Sequence, residues 1–206
     1  MKRLGILLSG RGSNFEAIAK NCASGKLAAS IAVVISNRAD AQGLRTAREM
    51  GLATVLLPSK GLTREEHDRQ VVEALIAAKV DLIVLAGYMR ILTAWFIEQF
   101  PQRIVNIHPA LLPAFPGLDA QHQAWEYGVR YSGCTVHFVD EKMDSGPILA
   151  QSIVPVFDSD TAETLSNRIL AEEHRIYSEA IAFVLSGQYR LDGRRVVRLA
   201  SAQDGN

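Results

Sequence analysis

The apolar positions of this chain change period repeatedly. Residues 3–8, R-L-G-I-L-L, form a short apolar run closed by S-G-R-G-S-N at 9–14. Phe15, Ile18 and Ala19 then recur at i, i+3, i+4, the spacing of a helix. Residues 31–35, I-A-V-V-I, read as a strand ending at Ser36-Asn37, 41–50 as a helix stopped by Gly51, and 53–57 as a further strand. Thr63 with Glu66 three positions on predicts a capping box, and the helix it opens carries Val71, Val72, Leu75 and Ile76. A continuous apolar strand at 81–87, a helix near 93–100 and the strand R-I-V-N-I-H at 103–108 follow. Strands apolar on both faces, alternating with helices, predict a parallel sheet covered by helices.

Beyond residue 117 the pattern shifts. A helix near 119–128 leads to C-T-V-H-F-V at 134–139 and I-L-A-Q-S-I-V-P-V at 148–156, joined by the turn-rich D-E-K-M-D-S-G-P. These two runs suit an antiparallel pair. A long helix spans roughly 161–186, Asp192-Gly193 predicts a terminal hairpin, and 201–206 reads as a frayed tail. The fold class expected is α/β in three layers: a mostly parallel twisted sheet, Rossmann-like in its N-terminal half, with an antiparallel portion in its C-terminal half.

Length and charge narrow the function. With 206 residues and 48% hydrophobic residues the chain suits a single domain with a real core. Its 22 basic and 22 acidic residues balance, which argues against a nucleic-acid or membrane-surface partner. No apolar run approaches the roughly 18 residues of a membrane span. M-K-R-L-G-I-L-L has signal-peptide flavour but too short an apolar run. Cys22 and Cys134 supply neither a disulfide framework nor a metal spacing, and read as reduced packing thiols of a cytoplasmic protein.

The loop 9–14 lies between a strand and a helix. Its glycines allow close backbone approach, and a helix start offers free N–H groups and positive potential, so one phosphate group suits it; the alternative is a plain tight turn. Phe15 stands where G-x-G-x-x-G needs glycine, Asn37 where a dinucleotide site places an acid, and no G-K-[ST] follows.

Strand alternation puts Asn106 and His108 on one face and Val105 and Ile107 on the other. Pro109 keeps His108 extended, so both polar heads reach the carboxyl end of the strand, where open α/β sheets bind ligands. An amide donor and an imidazole suit a developing oxyanion and a travelling proton; a satisfied buried histidine beside a turn-capping asparagine is the plainer alternative. Asp144, in K-M-D-S-G-P, is either a turn residue or the acid that orients His108 and favours its charged form. His137, amid T-V-H-F-V, lies either near the active site or in the core, the packed core histidine being the preferred reading, and Trp95, Phe96 and Phe100 read as core. No H-x-x-x-H or C-x-x-C pair supports a zinc set from His108, His122, His137 and Asp144. Ser13 lacks a nucleophile elbow.

N-I-H-P-A-L-L-P-A-F-P-G at 106–117, A-G-Y-M-R-I-L at 86–92, the loop S-G-R-G-S-N and D-E-K-M-D-S-G-P-I at 140–148 together resemble the phosphoribosylglycinamide formyltransferases, over residues 3 to about 185. H-P-x-L-L-P alone marks the wider formyltransferase superfamily; the glycine loop points to this member. The resemblance implies one formyltransferase domain over 1–200, divided into a phosphate- and nucleotide-binding half, 1–100, and a folate-binding and catalytic half, 101–200. It implies transfer of a formyl group from 10-formyltetrahydrofolate, as co-substrate, to the amine of glycinamide ribonucleotide, by direct attack and without metal. Asn106, His108 and Asp144 would be catalytic. Gly12, Ser13 and Asn14 would hold the phosphate, and Glu173 the glycinamide end. Met89, Arg90, Ile91 and Leu92 would line the folate pocket with Asn106 and the run Asp140, Glu141, Lys142, Met143 and Asp144, and Arg64 would meet the folate's glutamate tail. A monomer or weak homodimer is implied. Ala114, Asp119 and Leu170 depart from the pattern: relatives often have lysine or serine, histidine, and a polar phosphate partner there.

Three rivals stay open. A formyltetrahydrofolate hydrolase or another formyltransferase is the nearest, although these usually carry a further domain. The others are a non-catalytic phosphometabolite-binding protein and a nicotinamide-dependent oxidoreductase.

Overall fold

Leu4, Ile6, Leu7 and Leu8 are fully buried, as expected of a strand with helices on both sides. They belong to β1 (Lys2–Leu8), the centre of the amino-terminal half. The structure is a computed structural model, and it describes residues 1–199. The expected tail at 201–206 lies outside the described residues. From β1 the chain runs through α1 (Ser13–Ala23), β2 (Ala29–Ser36), α2 (Gln42–Glu49), β3 (Thr54–Leu56), α3 (Arg64–Ala77), β4 (Leu82–Leu85), α4 (Ala94–Gln99) and β5 (Ile104–His108). α5 (Ala120–Tyr127), β6 (Tyr131–Phe138), β7 (Ile148–Pro155), α6 (Ala162–Ser186), β8 (Tyr189–Asp192) and β9 (Arg195–Arg198) complete it.

Among the described residues the strands form one nine-stranded sheet in the order β3-β2-β1-β4-β5-β6-β7-β9-β8. From β3 to β5 all pairs are parallel, β5–β6 and β6–β7 are antiparallel, and the β8–β9 hairpin adds to β7 through β9. α1, α2 and α6 cover one face around Phe15, Leu44 and Tyr177. α3 and α4 cover the other around Leu75 and Phe96. The capping box of α3 is present, Thr63 and Glu66 exchanging bonds as its sequence implies. Ile76 is an exception, 61% exposed, because the stripe that α3 buries runs through positions 68, 71, 72 and 75 and leaves 76 off its edge.

Two features of this topology position a site. The chain leaves β1 toward β2 and β3 on one side, while β4 and β5 lie on the other. That reversal opens a crevice at the carboxyl ends of β1 and β4. Tyr177 of α6, fully buried, places its hydroxyl 2.9 Å from the carbonyl of Leu85 and 3.1 Å from that of Val105. It ties the last residue of β4 to β5 one residue before Asn106.

Candidate active site

β5 divides its side chains as alternation requires. Val105 and Ile107 join the core shared with α1 and α6. Asn106, half-buried, and His108, 4% exposed, share the other face and line a cavity at the sheet's carboxyl edge. Asp144 arrives from the loop between β6 and β7, with a left-handed φ of 50°. Its Oδ2 accepts from Gly117 N at 2.8 Å and lies 3.4 Å from His108 Nδ1. His108 Nε2 lies 2.7 Å from the carbonyl of Phe115. Both ring nitrogens thus face acceptors, and the imidazolium is the form with a donor for each.

His137 belongs to this group, contrary to the packed core histidine expected from its sequence. The β5–β6 register sets it directly opposite Asn106. Its Nδ1 lies 2.8 Å from Phe138 O and its Nε2 3.2 Å from Asn106 Nδ2. Burial lowers its pKa, with the Phe138 carbonyl and Asp144 opposing, so the neutral ring is favoured. A neutral ring that donates through Nδ1 accepts at Nε2. It takes one amide proton of Asn106 and leaves the other for a ligand. A cross-strand pair carries this signal, and the apolar neighbours of His137 conceal it.

The cavity has a volume of about 620 Å³. Met89, Arg90, Ile91 and Leu92 line it together with Asn106, His108, His137 and the whole run Asp140–Asp144. Met89, Ile91, Leu118 and Met143 are exposed apolar side chains on this wall, an arrangement suited to a flat heteroaromatic ligand. Asp140 also organises its own turn, accepting from Lys142 N at 3.1 Å and Ser145 Oγ at 2.8 Å. Arg64 stands on the exposed first turn of α3 and is not among the residues that line the cavity.

At the other side of the crevice Gly12 caps α1 with φ 83° and no side-chain bond, leaving the first-turn N–H groups to other acceptors. A Cβ on Gly12 would meet Gly43 Cα at 2.7 Å, so the two helix starts touch through glycine. Asn14 donates to Glu173 Oε2 at 2.7 Å, while its buried Oδ1 has no partner among the described residues. Glu173 is 5% exposed, whereas its neighbour Glu172 pairs with Arg175 at the surface. A hollow of about 310 Å³ flanks the loop, rimmed by Arg11 of the motif, by Arg45, and by Arg38 paired with Asp40.

Residues 2–181 match the family model described as formyl transferase. The chain is 39% identical over 207 residues to phosphoribosylglycinamide formyltransferase of Escherichia coli strain K12, covering 97% of this chain and 98% of that protein. The chain belongs to the phosphoribosylglycinamide formyltransferase family. Among solved structures, glycinamide ribonucleotide transformylase 1 from Symbiobacterium toebii superposes with a TM-score of 0.94 at 50% identity, covering 97% of this chain and 95% of that one. A formyltetrahydrofolate deformylase from Pseudomonas syringae pv. tomato superposes with a TM-score of 0.89 at 27% identity, over 97% of this chain and 66% of that one. The fold is therefore shared between transfer and hydrolysis, and the residues at the crevice must separate them.

Within this formyltransferase, Glu173 has a measurable electrostatic consequence. Burial raises its pKa, opposed by the Asn14 donor. A carboxyl that titrates higher in the folded than in the unfolded chain makes the native state hold the extra proton. Stability is then greatest below the unfolded pKa and declines as pH rises toward the folded one. Glu173→Gln keeps an acceptor for Asn14 and removes the buried charge. It is expected to raise the thermal midpoint by a few degrees near neutral pH and to lose that advantage in acid. Unfolding followed by circular dichroism at both pH values checks this; an unchanged or lower midpoint near neutrality contradicts it.

Proposed function

We propose that this formyltransferase transfers the formyl group of 10-formyltetrahydrofolate to the amino group of N1-(5-phospho-D-ribosyl)glycinamide, a step of de novo purine biosynthesis. One observation carries the reading: an amide, an imidazole and a carboxylate converge on the wall of a cavity whose Gly87 and Met89 are hydrogen-bonded to Ser9, the first residue of the loop that leads to a glycine-capped helix start. On this reading the cavity receives the folate, with Met89–Leu92 on one wall and Asp140–Asp144 on another. Gly12, Ser13 and Asn14 hold the ribose phosphate, and Glu173 meets the glycinamide end. Residues 1–100 supply phosphate binding and residues from 101 on supply catalysis, with Met89–Leu92 crossing that division to serve the folate. Arg64 reaches the folate's glutamate tail from outside the cavity.

The amine attacks the formyl carbon and the carbonyl oxygen takes the negative charge. Asn106 offers the N–H that His137 leaves free, and His108 offers Nε2–H. For that the Nε2 proton must be shared with, or released by, the carbonyl of Phe115, whose own φ is 49°. Asp144, facing Nδ1 at 3.4 Å, orients the ring and receives the attacking nitrogen's proton through water. The oxyanion re-forms the carbonyl as the bond to the folate nitrogen breaks, and that nitrogen leaves as the amine by taking the proton that Asp144 received from the attacking nitrogen. No acyl-enzyme forms, since the nucleophile is the substrate's own nitrogen. Among the described residues no group of three or more His, Cys, Asp or Glu side chains is arranged for a metal ion. No helix among the described residues is long and apolar enough to cross a membrane, and we place the enzyme in the cytoplasm as a monomer or weak homodimer.

Hydrolysis of the same folate is the rival reading, favoured by the shared fold of the deformylase. A spectrophotometric assay with 10-formyl-5,8-dideazafolate separates the two. Deformylated folate is expected only when glycinamide ribonucleotide is present; release at the same rate without it replaces the transferase with a hydrolase.

A further inference from the structure

The buried stripe of α3 contains a charge. Val71, Val72 and Leu75 are buried, and Asp68, three, four and seven positions earlier, lies on the same helical face. Asp68 is 0% exposed, as is His67 beside it. Burying a carboxylate is costly unless hydrogen bonds hold it. Here Oδ2 accepts from both the backbone N–H and the hydroxyl of Thr93, each at 2.8 Å. Thr93 in turn caps α4, its Oγ1 accepting from Phe96 N at 3.2 Å.

Thr93 is the residue that follows Met89–Leu92. The same loop is tied at its start: Ser9 N donates to Gly87 O at 3.0 Å, and Met89 N donates to Ser9 Oγ at 2.9 Å. Between the two ties, Tyr88 OH and Arg90 Nε are buried with no hydrogen-bond partner among the described residues, and so are Asp68 Oδ1 and His67 Nδ1. His67 Nδ1 lies 4.0 Å from Asp68 Oδ1, while its Nε2 lies 2.9 Å from Leu57 O. Burial pushes the Tyr88 phenol up, and Asp68 adds to that push. His67 and Asp68 sit behind the wall, since neither lines the cavity, whereas Tyr88 and Arg90 belong to the wall itself.

We infer that Asp68, acting through Thr93, is a positioning residue for the folate wall, with the buried polar atoms of His67 behind the wall and of Tyr88 and Arg90 within it completing the set. Asp68 touches neither substrate. It fixes where the backbone of Met89–Leu92 stands and so which hydrogen bonds that backbone offers the folate ring. The inference rests on the reading that the 620 Å³ cavity takes folate.

The test compares Asp68→Asn, Thr93→Val and Thr93→Ser with the parent enzyme. The first two are expected to raise KM for 10-formyl-5,8-dideazafolate by about 10–100-fold, the range seen when supporting hydrogen bonds to a site are lost. KM for the ribonucleotide is expected to stay within roughly twofold, because the phosphate loop keeps its own bonds. Thr93→Ser, which retains the hydroxyl, is expected to match the parent. A purely structural role predicts otherwise: both KM values rise together, or neither moves in a folded variant, and either result overturns the inference. If Asp68→Asn shows no cooperative unfolding transition, the Val and Ser variants at position 93 decide between the same outcomes. Failure of the parent enzyme to bind the folate analogue sinks the functional reading itself, and is seen before any variant is made.

Discussion

Replacement of His108 by alanine is expected to lower kcat by about a thousandfold, the upper end of the roughly 10²–10³ contributed by one oxyanion donor, because the ring also positions Asp144, which receives the proton. The geometry places the ring between Asp144 and the substrate oxygen. Nδ1 faces Asp144 at 3.4 Å and Nε2 faces Phe115 O at 2.7 Å, so the imidazole links two loops as well as meeting the substrate oxygen. The carboxylate keeps the Gly117 N–H when the ring is gone, which limits the structural damage. KM for both substrates is therefore expected to change much less than kcat, the signature of a group whose contribution is made in the transition state. Steady-state kinetics beside a circular-dichroism melt checks both halves. Near-parental kcat in a folded His108→Ala enzyme would falsify the oxyanion reading and leave a binding protein in its place.

Which parts of this site could be read from the chain alone follows from which physical rules are local. The alternation placing Asn106 and His108 together is a property of one strand, and it holds. The loop at 9–14 is likewise local: a glycine-rich turn between an apolar run and a helical period is legible without knowing the fold. The sequence leaves His137 between an active-site and a core reading because its role depends on the β5–β6 register, and the expected antiparallel pairing concerns only β6 and β7. Two further signals were present and unread. Glu173 falls at i+4 from Ile169 and three and four positions before Ile176 and Tyr177, all buried, which puts it on the core stripe of α6 and its neighbour Glu172 off it. Asp68 is on the stripe of α3 by the same arithmetic. In both cases helical periodicity reports a carboxylate carried inward, and a buried carboxylate requires a partner that only the folded chain identifies: Asn14 for one, Thr93 for the other.

Gly146→Ala is expected to cost about 3 kcal/mol of stability, at the upper end for an overpacked site, and to remove most activity. A Cβ at position 146 would stand 1.8 Å from the carbonyl oxygen of Phe138 and 2.8 Å from its carbon. Both atoms are backbone, so no side-chain rotation relieves the clash. The Phe138 carbonyl is also the acceptor for His137 Nδ1, and the Phe138 amide donates to Pro147 O at 2.9 Å. Displacing that carbonyl turns His137, and with it the amide of Asn106. Moving the 140–147 loop instead carries Asp144, two residues away, from His108. Whichever side yields, one member of the trio leaves its place, so the activity loss is expected to exceed what reduced stability alone imposes. Denaturant unfolding and an assay well below the midpoint separate these contributions. Parental activity and stability in Gly146→Ala would mean that the close approach of this loop to β6 does not hold the trio together.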